Sequence, residues 1–264
     1  MAPTYLDDIV THHRARAERD QREWRSRMGE VRYQGPSLLE ALRKESPFVK
    51  VIAEVKRRSP SKGWIDEHLD AGALAKAYQR GGATAISVLT DEAHFSGSLH
   101  DFETVRSAVR LPLLRKDFTV SANDVIDTAA MGASAVLLIV AALSDEELRL
   151  FLDVARQTGI DALVEVHDHD EARRALDAGA RLVGVNQRDL RTFSVDSERA
   201  AAVMTALPSD VVTVAESGLT TTDDVRRAGA AGFDAVLVGE TFVRSADVEA
   251  TVRSFASVAK VAGG

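Results

Sequence analysis

The sequence predicts an α/β protein in which eight strand–helix units close into a (β/α)8 barrel, or TIM barrel, with an N-terminal helical extension. Short β-branched, apolar runs recur along the chain, and each is followed by a longer stretch with helical spacing of its apolar positions. Most of these runs are apolar throughout, which is typical of parallel strands covered on both faces. A length of 264 residues fits one such barrel, so we expect a single domain over residues 1–264.

These runs predict eight strands, numbered here 1 to 8. They are Val49–Val55, Thr84–Leu89, Leu111–Arg115, Ala135–Val140, Ile160–Val166, Arg181–Val185, Val211–Ala215 and Asp234–Val238. Before strands 2, 4, 6 and 8 a glycine follows a helical stretch, and we expect it to end the helix in a left-handed conformation. These glycines are Gly82, Gly132, Gly179 and Gly232. Ser144 and Thr221, each followed by acidic residues, are predicted to begin helices.

An open, doubly wound sheet is the alternative arrangement of alternating strands and helices. It predicts a glycine-rich dinucleotide-binding turn after the first strand. The chain reads EVKRRSPSKG at that point. The even spacing and the repeated helix–glycine–strand pattern favour the closed barrel.

The extension comprises residues 1–46. Within it, Pro3–Met28 is highly charged and carries apolar positions that include Leu6 and Ile9, which predicts a helix. Pro36–Glu45 predicts a second, shorter helix. We interpret the extension as a cap on the barrel, and the alternative is partial cover of the face that carries the active site.

Composition excludes several classes of protein. The chain has 40 acidic and 33 basic residues, a net charge of −7, which argues against a nucleic-acid partner. It has no cysteine, which excludes disulfides, thiolate metal sites and cysteine nucleophiles. No apolar run approaches the ~20 residues of a membrane span, and MAPTYLDDIV lacks the pattern of a secretory signal. We expect a cytoplasmic protein without membrane contact, and we expect a monomer.

Polar side chains stand at the C-terminal ends of five predicted strands, where barrel enzymes carry their working residues. They are Glu54 and Lys56 of strand 1, Lys116 after strand 3, Glu165 of strand 5, Asn186 after strand 6 and Glu216 after strand 7. One such charge alone would indicate an ordinary solvated rim residue. Two ammonium groups and three carboxylates that converge in one cleft would shift each other's pKa values and form an acid–base site.

The loops after strands 7 and 8 predict a phosphate site, because barrels of this kind bind phosphate there. They read Ser217-Gly218 and Gly239-Glu240. Since a chain with a net charge of −7 would have to bind an anionic phosphate here, we expect basic residues to concentrate positive potential at this rim. These are Lys56, Lys62, Lys116 and Arg188.

The loop after strand 1, Arg57–Ile65, is basic and contains a proline and a glycine. It is either a mobile surface loop or a lid whose Ser61 or Lys62 reaches an anion when it closes.

The histidines do not predict a metal site. His167 and His169 follow strand 5, but a metal would need a third or fourth convergent ligand. We expect both to be solvated, with Asp168 or Asp170 beginning a helix. We expect His12 and His13 to be surface residues.

Seven segments of the chain carry a family likeness. They are VIAEVKRRSPSKG, TDEAHFSGS, LLRKDF, LVEVH, GVNQRDLRTF, AESGL and LVGETFVR. In order and spacing they resemble the signature segments of the indole-3-glycerol phosphate synthase family, over essentially the whole chain. The resemblance implies a monofunctional enzyme of tryptophan biosynthesis that needs no metal or cofactor. Such enzymes convert 1-(2-carboxyphenylamino)-1-deoxyribulose 5-phosphate into indole-3-glycerol phosphate, CO2 and water.

The resemblance also implies roles for the strand-end residues. Lys116 resembles the general acid of ring closure, and Glu165 the base of the dehydration. Lys56 would hold the substrate carboxylate and is a candidate donor of the second proton, while Glu54 would orient the lysines. Asn186 and Glu216 would bind substrate hydroxyls or the anilino nitrogen.

Other positions resemble the family's substrate-binding residues. The phosphate end would be formed by Arg188, Ser217, Gly218, Gly239 and the backbone of Glu240. Phe95 and Phe118, with Leu137, would flank the aromatic ring, and Ser59, Ser61 and Leu237 complete the expected binding set.

Two departures from the family pattern are visible. Gln187 stands where a second asparagine is frequent, and it alternates away from the barrel interior, so we expect little effect. Arg57 and Arg58 make the first loop more basic than in many members of the family, which we interpret as surface variation, the alternative being stronger capture of an anion.

Two other functions remain open at this point. A sugar-phosphate aldolase would use Lys116 or Lys56 as a Schiff-base nucleophile, and borohydride trapping would detect the adduct. A non-catalytic phosphate-binding barrel would bind ligand without turnover.

Overall fold

Eight parallel strands close into a barrel in the computed structural model, which describes residues 4–59, 62–188 and 194–260. The strands are β1 (Lys50–Val55), β2 (Ala85–Leu89), β3 (Leu113–Lys116), β4 (Ala135–Ile139), β5 (Asp161–Val166), β6 (Leu182–Asn186), β7 (Val212–Glu216) and β8 (Ala235–Val238). Each strand pairs in parallel with its neighbour in sequence, and β8 pairs with β1 to close the ring. The predicted fold class is confirmed, and every predicted strand lies within two residues of an observed one.

The outer layer consists of helices that follow the strands. They are α4 (Ala71–Gly81), α5 (Glu92–Phe95), α6 (Leu99–Ala108), α7 (Ala122–Ala130), α8 (Asp145–Thr158), α9 (His169–Asp177), α10 (Ser197–Met204), α11 (Thr222–Ala230), α12 (Glu240–Val243) and α13 (Val248–Ala256), numbered after three helices of the extension. The four glycines predicted to end helices all have φ between 83° and 98°. Ser144 and Thr221 form capping boxes at the starts of α8 and α11, and Asp168 caps α9, as predicted.

The strand alternation decides which side chains point into the barrel. Ile52, Leu137, Leu163 and Leu237 belong to one buried apolar cluster inside the ring, and a second, larger cluster packs the strands against the helices. Glu54 and Glu165, two positions beyond Ile52 and Leu163, therefore point into the same interior, at its C-terminal end.

The extension contains three helices, α1 (Tyr5–Ala17), α2 (Trp24–Arg27) and α3 (Leu38–Arg43). The single helix predicted over Pro3–Met28 is wrong, because the chain leaves the helix after Ala17. Asp20 accepts hydrogen bonds from the backbone and guanidinium of Arg22 at 2.7 to 3.1 Å, and this local bonding competes with the helix.

The extension contacts both ends of the barrel. Leu38, Leu39 and Leu42 of α3 are buried in the inner cluster, together with the first residues of β6, β7 and β8. α1 lies at the opposite end, where Arg14 donates to the carbonyl of Ala142 just after β4. The extension thus plugs one end of the barrel and reaches the other.

The loop after β1 is an ordered turn where it is described. Arg58–Ser59 and Gly63–Trp64 pair as two short antiparallel strands. The interpretation of Arg57 as surface variation is wrong, because its guanidinium binds the buried carboxylate of Asp101 at 2.8 and 2.9 Å and anchors the loop. In the described parts of the chain, no helix combines the length and apolar character needed to cross a membrane.

Candidate active site

A cavity of about 580 Å³ opens at the C-terminal end of the barrel. Every described residue in the predicted site set lines it: Glu54, Lys56, Ser59, Phe95, Lys116, Phe118, Glu165, Asn186, Arg188, Glu216, Ser217, Gly218, Leu237, Gly239 and Glu240. Leu137 lines it as well. Ser61 lies outside the described residues. Strand ends far apart in sequence therefore meet around one space.

Lys116 stands at the centre of the polar groups. Its Nζ lies 2.6 Å from Oε2 of Glu216 and 3.3 Å from Oε2 of Glu165. Burial alone would lower the pKa of Lys116, but the charges of Glu216, Glu165 and Glu54 outweigh it and raise the pKa. The side chain is therefore an ammonium group at neutral pH.

The carboxyl groups of Glu165 and Glu216, which both contact Lys116, have different pKa values. Burial, reinforced by the charge of Glu165 and opposed by Lys116, raises the pKa of Glu216 to about 7. Burial also acts to raise the pKa of Glu165, but Lys116, His167 and the amide of Asn186, which donates to Oε1 at 3.0 Å, lower it overall. One carboxylate is thus kept ionised, and the other titrates near neutral pH.

A second ion pair lies beside the first. Lys56 Nζ is 2.5 Å from Oε1 of Glu54, whose side chain is buried. Two glycines leave space for the carboxylates, since a Cβ at Gly239 would collide with Glu54 and a Cβ at Gly184 with Glu216. Sequence reasoning missed Gly184, although a glycine inside the apolar strand LVGVN is a signal of close approach.

The turn after β7 and the start of α12 form another wall of the cavity. Ser217 and Gly218 are consecutive left-handed residues, with φ of 70° and 74°. The Glu240 carboxylate lies 3.1 Å from both Lys62 Nζ and Arg244 Nε. Burial acts against ionisation of Glu240, but these two cations outweigh it and lower its pKa.

Arg244 was not among the predicted site residues. It is the last residue of the segment LVGETFVR, one helical turn after Glu240, so the i, i+4 spacing was the available signal. Arg188 lines the same cavity, and its backbone N–H donates to Oδ1 of Asn186 at 3.0 Å. Gln187 does not line the cavity, consistent with its expected outward direction.

An aromatic wall completes the cavity. The rings of Phe95 and Phe118 lie 6.0 Å apart and tilted by 35°, and the ring of His13 lies 5.5 Å from that of Phe118. Tyr5, Leu6 and Ile9 of α1 also line the cavity. From the sequence alone, partial cover of the active-site face is the alternative to a simple cap on the barrel. These three residues show that the extension does cover part of that face.

His13 is buried, so its expected surface position is wrong. Its Nε2 lies 2.8 Å from Oδ2 of Asp91, and Nδ1 of His94 lies 3.1 Å from the same oxygen. The three side chains bring possible metal ligands within 4.8 Å of one another, but both His–Asp distances are those of ordinary hydrogen bonds. The cluster attaches α1 to the loop after β2.

His167 is also not solvated as predicted. Only 12% of its side chain is exposed, and Nδ1 lies 3.0 Å from Oε2 of Glu171. His169 is exposed, in line with the prediction. The helix start at Asp168 turns one histidine inward and leaves the other in solvent.

Comparisons of the sequence with known families and proteins agree on one family. The sequence profile of the family described as Indole-3-glycerol phosphate synthase matches residues 6–255. A protein of Micrococcus luteus named indole-3-glycerol phosphate synthase is 51% identical over 207 residues, which are 78% of this chain and 77% of that protein. One of the same name from Kineococcus radiotolerans is 53% identical over 203 residues, 77% of this chain and 74% of that protein.

Solved structures support the fold alone. The 3-hexulose-6-phosphate synthase of Salmonella typhimurium aligns with a TM-score of 0.64 at 12% identity, over 78% of this chain and 96% of that one. The thiamine phosphate pyrophosphorylase of Pyrococcus furiosus aligns with a TM-score of 0.60 at 18% identity, over 78% and 93% of the two chains.

Proposed function

The chain belongs to the indole-3-glycerol phosphate synthase family, and from that premise we propose which of its side chains carry out each step of the family's reaction. Its activity is the decarboxylating and dehydrating ring closure that yields indole-3-glycerol phosphate, so it is a carbon–carbon lyase. The observation that carries the assignment of roles is the ammonium of Lys116 held between Glu216 and Glu165 inside the cavity.

In ring closure, Lys116 is the general acid. The ring carbon that bears the carboxylate attacks the ketone carbon, and the carbonyl electron pair moves onto the oxygen. The ammonium of Lys116 protonates that oxygen as its negative charge develops. Lys56 holds the substrate carboxylate, and Glu54, bound to its Nζ, keeps the lysine in place.

In the second half, loss of CO2 restores the aromatic ring. Glu165 then removes a proton from the new five-membered ring, and the hydroxyl leaves as water with a proton from a lysine, for which Lys56 is the candidate. The lowered pKa of Glu165 keeps it ionised and ready to act as this base. Asn186 and Glu216 bind the substrate hydroxyls or the anilino nitrogen.

The remaining lining residues hold the two ends of the substrate. Arg188, Ser217, Gly218, Gly239 and the backbone of Glu240 bind the phosphate, with Lys62 and Arg244 adding positive charge. The aromatic ring packs against Phe95 and Phe118, and the rest of the wall is formed by Ser59, Leu137 and Leu237. Ser61 remains part of this proposal on sequence grounds.

The electrostatics favour this chemistry over a Schiff-base aldolase. A lysine nucleophile must be a neutral amine, whereas the carboxylates around Lys116 raise its pKa and keep it charged. Borohydride reduction with substrate should leave no covalent adduct. An adduct on Lys116 or Lys56 would favour the aldolase instead.

The decisive assay follows indole fluorescence after the protein is mixed with the carboxyphenylamino-deoxyribulose phosphate. Lys116→Ala should lower kcat by about 10²-fold or more with the fold retained, because it removes the general acid. Lys76→Ala, a change at an exposed lysine of α4, is the matched control and should leave kcat unchanged. Full activity of Lys116→Ala would overturn the assignment.

We also propose that the chain acts as a monomer in the cytoplasm. One chain supplies every described wall of the cavity, and the relatives are named as biosynthetic enzymes. Light scattering should return a mass near 28.5 kDa, and cell fractionation should recover the activity in the cytoplasmic fraction. A dimer mass or a membrane-bound activity would contradict the respective proposal.

A further inference from the structure

A largely buried histidine ring lies next to the proposed base. His167 follows Glu165 by two residues at the end of β5, and its Nε2 lies 3.7 Å from Oε1 of Glu165. This Nε2 is buried and has no hydrogen-bond partner among the described residues. The mechanism above leaves this nitrogen without a role.

The other ring nitrogen is fixed by α9. Oε2 of Glu171 lies 3.0 Å from Nδ1 of His167 and also accepts the backbone N–H of His167 at 2.8 Å. Because a carboxylate can only accept, Nδ1 must carry the proton. In the neutral ring, Nε2 then carries a lone pair, and Oε1 of Glu165 lies 3.7 Å from it.

Two acceptors that face each other are favourable only with a proton between them. The other contacts of Glu165 leave this position open, since Lys116 binds Oε2 at 3.3 Å and the amide of Asn186 donates to Oε1 at 3.0 Å. The pair of Glu165 and His167 therefore contains a place for one additional proton, on Oε1 or on Nε2.

The surrounding charges favour a proton at this place. Carboxylates of Glu165, Glu171 and Glu216 face the ring, and together they outweigh its burial and raise the pKa of His167. Exposure of the side chains is 4% for Glu165, 12% for His167 and 17% for Glu171, so the ring lies between the cavity and the protein surface.

We propose that His167 is a positioning residue that accepts, from Glu165, the proton that Glu165 removes from the substrate during dehydration. This rests on the proposed role of Glu165. The electron pair of the broken bond becomes the new double bond, and the hydroxyl leaves as water with a proton from a lysine. The substrate proton passes from Glu165 to Nε2, so the carboxylate is regenerated and the ring becomes an imidazolium.

After product leaves, the imidazolium returns its proton through Glu165 to water in the emptied cavity. Lys116 and the lysine that protonated the leaving hydroxyl both regain their protons from water, so each turnover consumes one proton from solvent, which balances the carboxylate that is lost as neutral CO2. No other reactant is needed. Catalytic hydrogen bonds are often long in the free enzyme and tighten when substrate binds, so a distance of 3.7 Å between Nε2 and Oε1 is compatible with this transfer.

His167→Gln tests the proposal. We expect kcat to fall by about 10²-fold, the low end of what a positioned proton-transfer group contributes, with KM little changed. Activity of the unmodified protein should decline as the pH falls through the pKa of His167, because Nε2 is then already protonated. In His167→Gln this acid limb should move to lower pH. Glu216 also titrates near 7, but it does so in both proteins, so the difference between them isolates His167.

Glu171→Gln provides the second measurement. The amide oxygen can still accept from Nδ1, so the ring keeps its direction, but one negative charge is lost. We expect the acid limb to move to lower pH with kcat nearly unchanged. This variant also keeps the test decisive if His167→Gln folds poorly.

His169→Gln is the matched control, because this exposed histidine lies two residues further on and should not affect the rate. Glu165→Gln separates the two levels of the proposal. If Glu165→Gln is inactive but His167→Gln and Glu171→Gln both keep the original rate and acid limb, the role of His167 is wrong and that of Glu165 stands. If Glu165→Gln is fully active, the assigned base is wrong and the role of His167 is lost with it.

Discussion

Glu165 and Glu216 are identical side chains bound to the same ammonium, yet their carboxyl groups differ in ionisation. The difference comes from what else each one contacts. Glu165 also receives the amide of Asn186 and the field of His167, whereas Glu216 has an Oε1 with no hydrogen-bond partner among the described residues. Local hydrogen bonds, rather than residue type, separate a proposed base from a group that titrates near pH 7.

The raised pKa of Glu216 predicts a pH-dependent stability. A carboxyl whose pKa rises to about 7 on folding binds its proton more tightly in the folded state, so the free energy of unfolding falls as pH rises from about 4 to 7. Glu216→Gln removes this loss. The difference in the free energy of unfolding between Glu216→Gln and the unmodified protein should therefore be larger at pH 8 than at pH 5, by up to about 3 kcal/mol in favour of the variant.

Urea unfolding at the two pH values measures this difference. Glu103→Gln, at an exposed position of α6, is the control and should show no such pH dependence. If Glu216→Gln changes the free energy of unfolding by the same amount at pH 5 and pH 8, Glu216 is ionised over this whole range and the prediction is wrong.

Gly184 predicts a second effect at the residue scale. A Cβ at this position would collide with Oε1 of Glu216, so Gly184→Ala should displace that carboxylate from Lys116. We expect kcat to fall by roughly 10²-fold, since small displacements of reacting groups cost rates of this size. Far-UV circular dichroism should be unchanged. Gly29→Ala, where a Cβ meets nothing within 4 Å, should keep the original kcat, and a fully active Gly184→Ala would argue against the need for this packing.

At the scale of elements, α1 is part of the cavity as well as part of the extension. It is attached by the hydrogen bond between His13 and Asp91 and by ion pairs of Arg14 with Glu147 and Arg16 with Asp124. Burial opposes the ionisation of Asp91, but the hydrogen bonds from His13 and His94 outweigh it and hold its pKa well below the usual range. The attachment therefore depends on a charged carboxylate.

His13→Ala should loosen this attachment. We expect a loss of about 1 to 3 kcal/mol in the free energy of unfolding, the usual effect of leaving a buried hydrogen-bond partner unsatisfied, together with a rise in KM because α1 lines the cavity. Since the pKa of Asp91 is lowered on folding, its contribution is present above a pH of about 4 and is lost as pH falls further. The stability difference should therefore shrink in acid.

Thermal unfolding and steady-state kinetics of the same preparation test both parts. His12→Ala, at the exposed neighbouring position, is the control. A change in stability without any change in KM would show that α1 is only a structural cap.

Element boundaries could be predicted to within two residues for strands, because continuous apolar runs and helix-ending glycines mark them. The break after α1 was not predicted. Asp20 binds Arg22 there, and Arg22 also binds Asp127 of α7 at 2.8 Å, a contact 105 residues away that no local pattern indicates.

At the scale of the whole molecule, the basic residues expected at the rim do line the cavity, but the expected excess of positive charge is not observed. Five basic side chains line the cavity, but five acidic ones accompany them. The basic ones are Lys56, Lys62, Lys116, Arg188 and Arg244, and the acidic ones are Glu54, Asp117, Glu165, Glu216 and Glu240. A doubly anionic substrate requires the cations, while the base and the groups that orient the lysines require the carboxylates, so the rim is balanced rather than reversed in charge.

We propose that the extension and barrel unfold as one unit, because Leu38 and Leu42 of α3 are buried in the barrel's inner cluster. Fluorescence reports Trp24 of the extension and Trp64 of the first loop, while far-UV circular dichroism reports mainly the barrel. Their urea transitions should coincide. Leu38→Ala should shift both midpoints together by an amount equivalent to about 2 to 5 kcal/mol, and separate transitions would show that residues 1–46 form an independent unit.

The sequence by itself determined the barrel, the strand order and most of the strand-end residues that meet at its C-terminal end, because a two-residue alternation and a closed parallel ring leave few other arrangements. Only the tertiary structure decided the surroundings of those residues. Ionisation of Glu165 and Glu216, burial of His13 and the direction of His167 toward the proposed base all depend on distances between groups far apart in the chain. Electrostatic and hydrogen-bond energies vary steeply over a few ångströms, and no local pattern in the sequence specifies those distances.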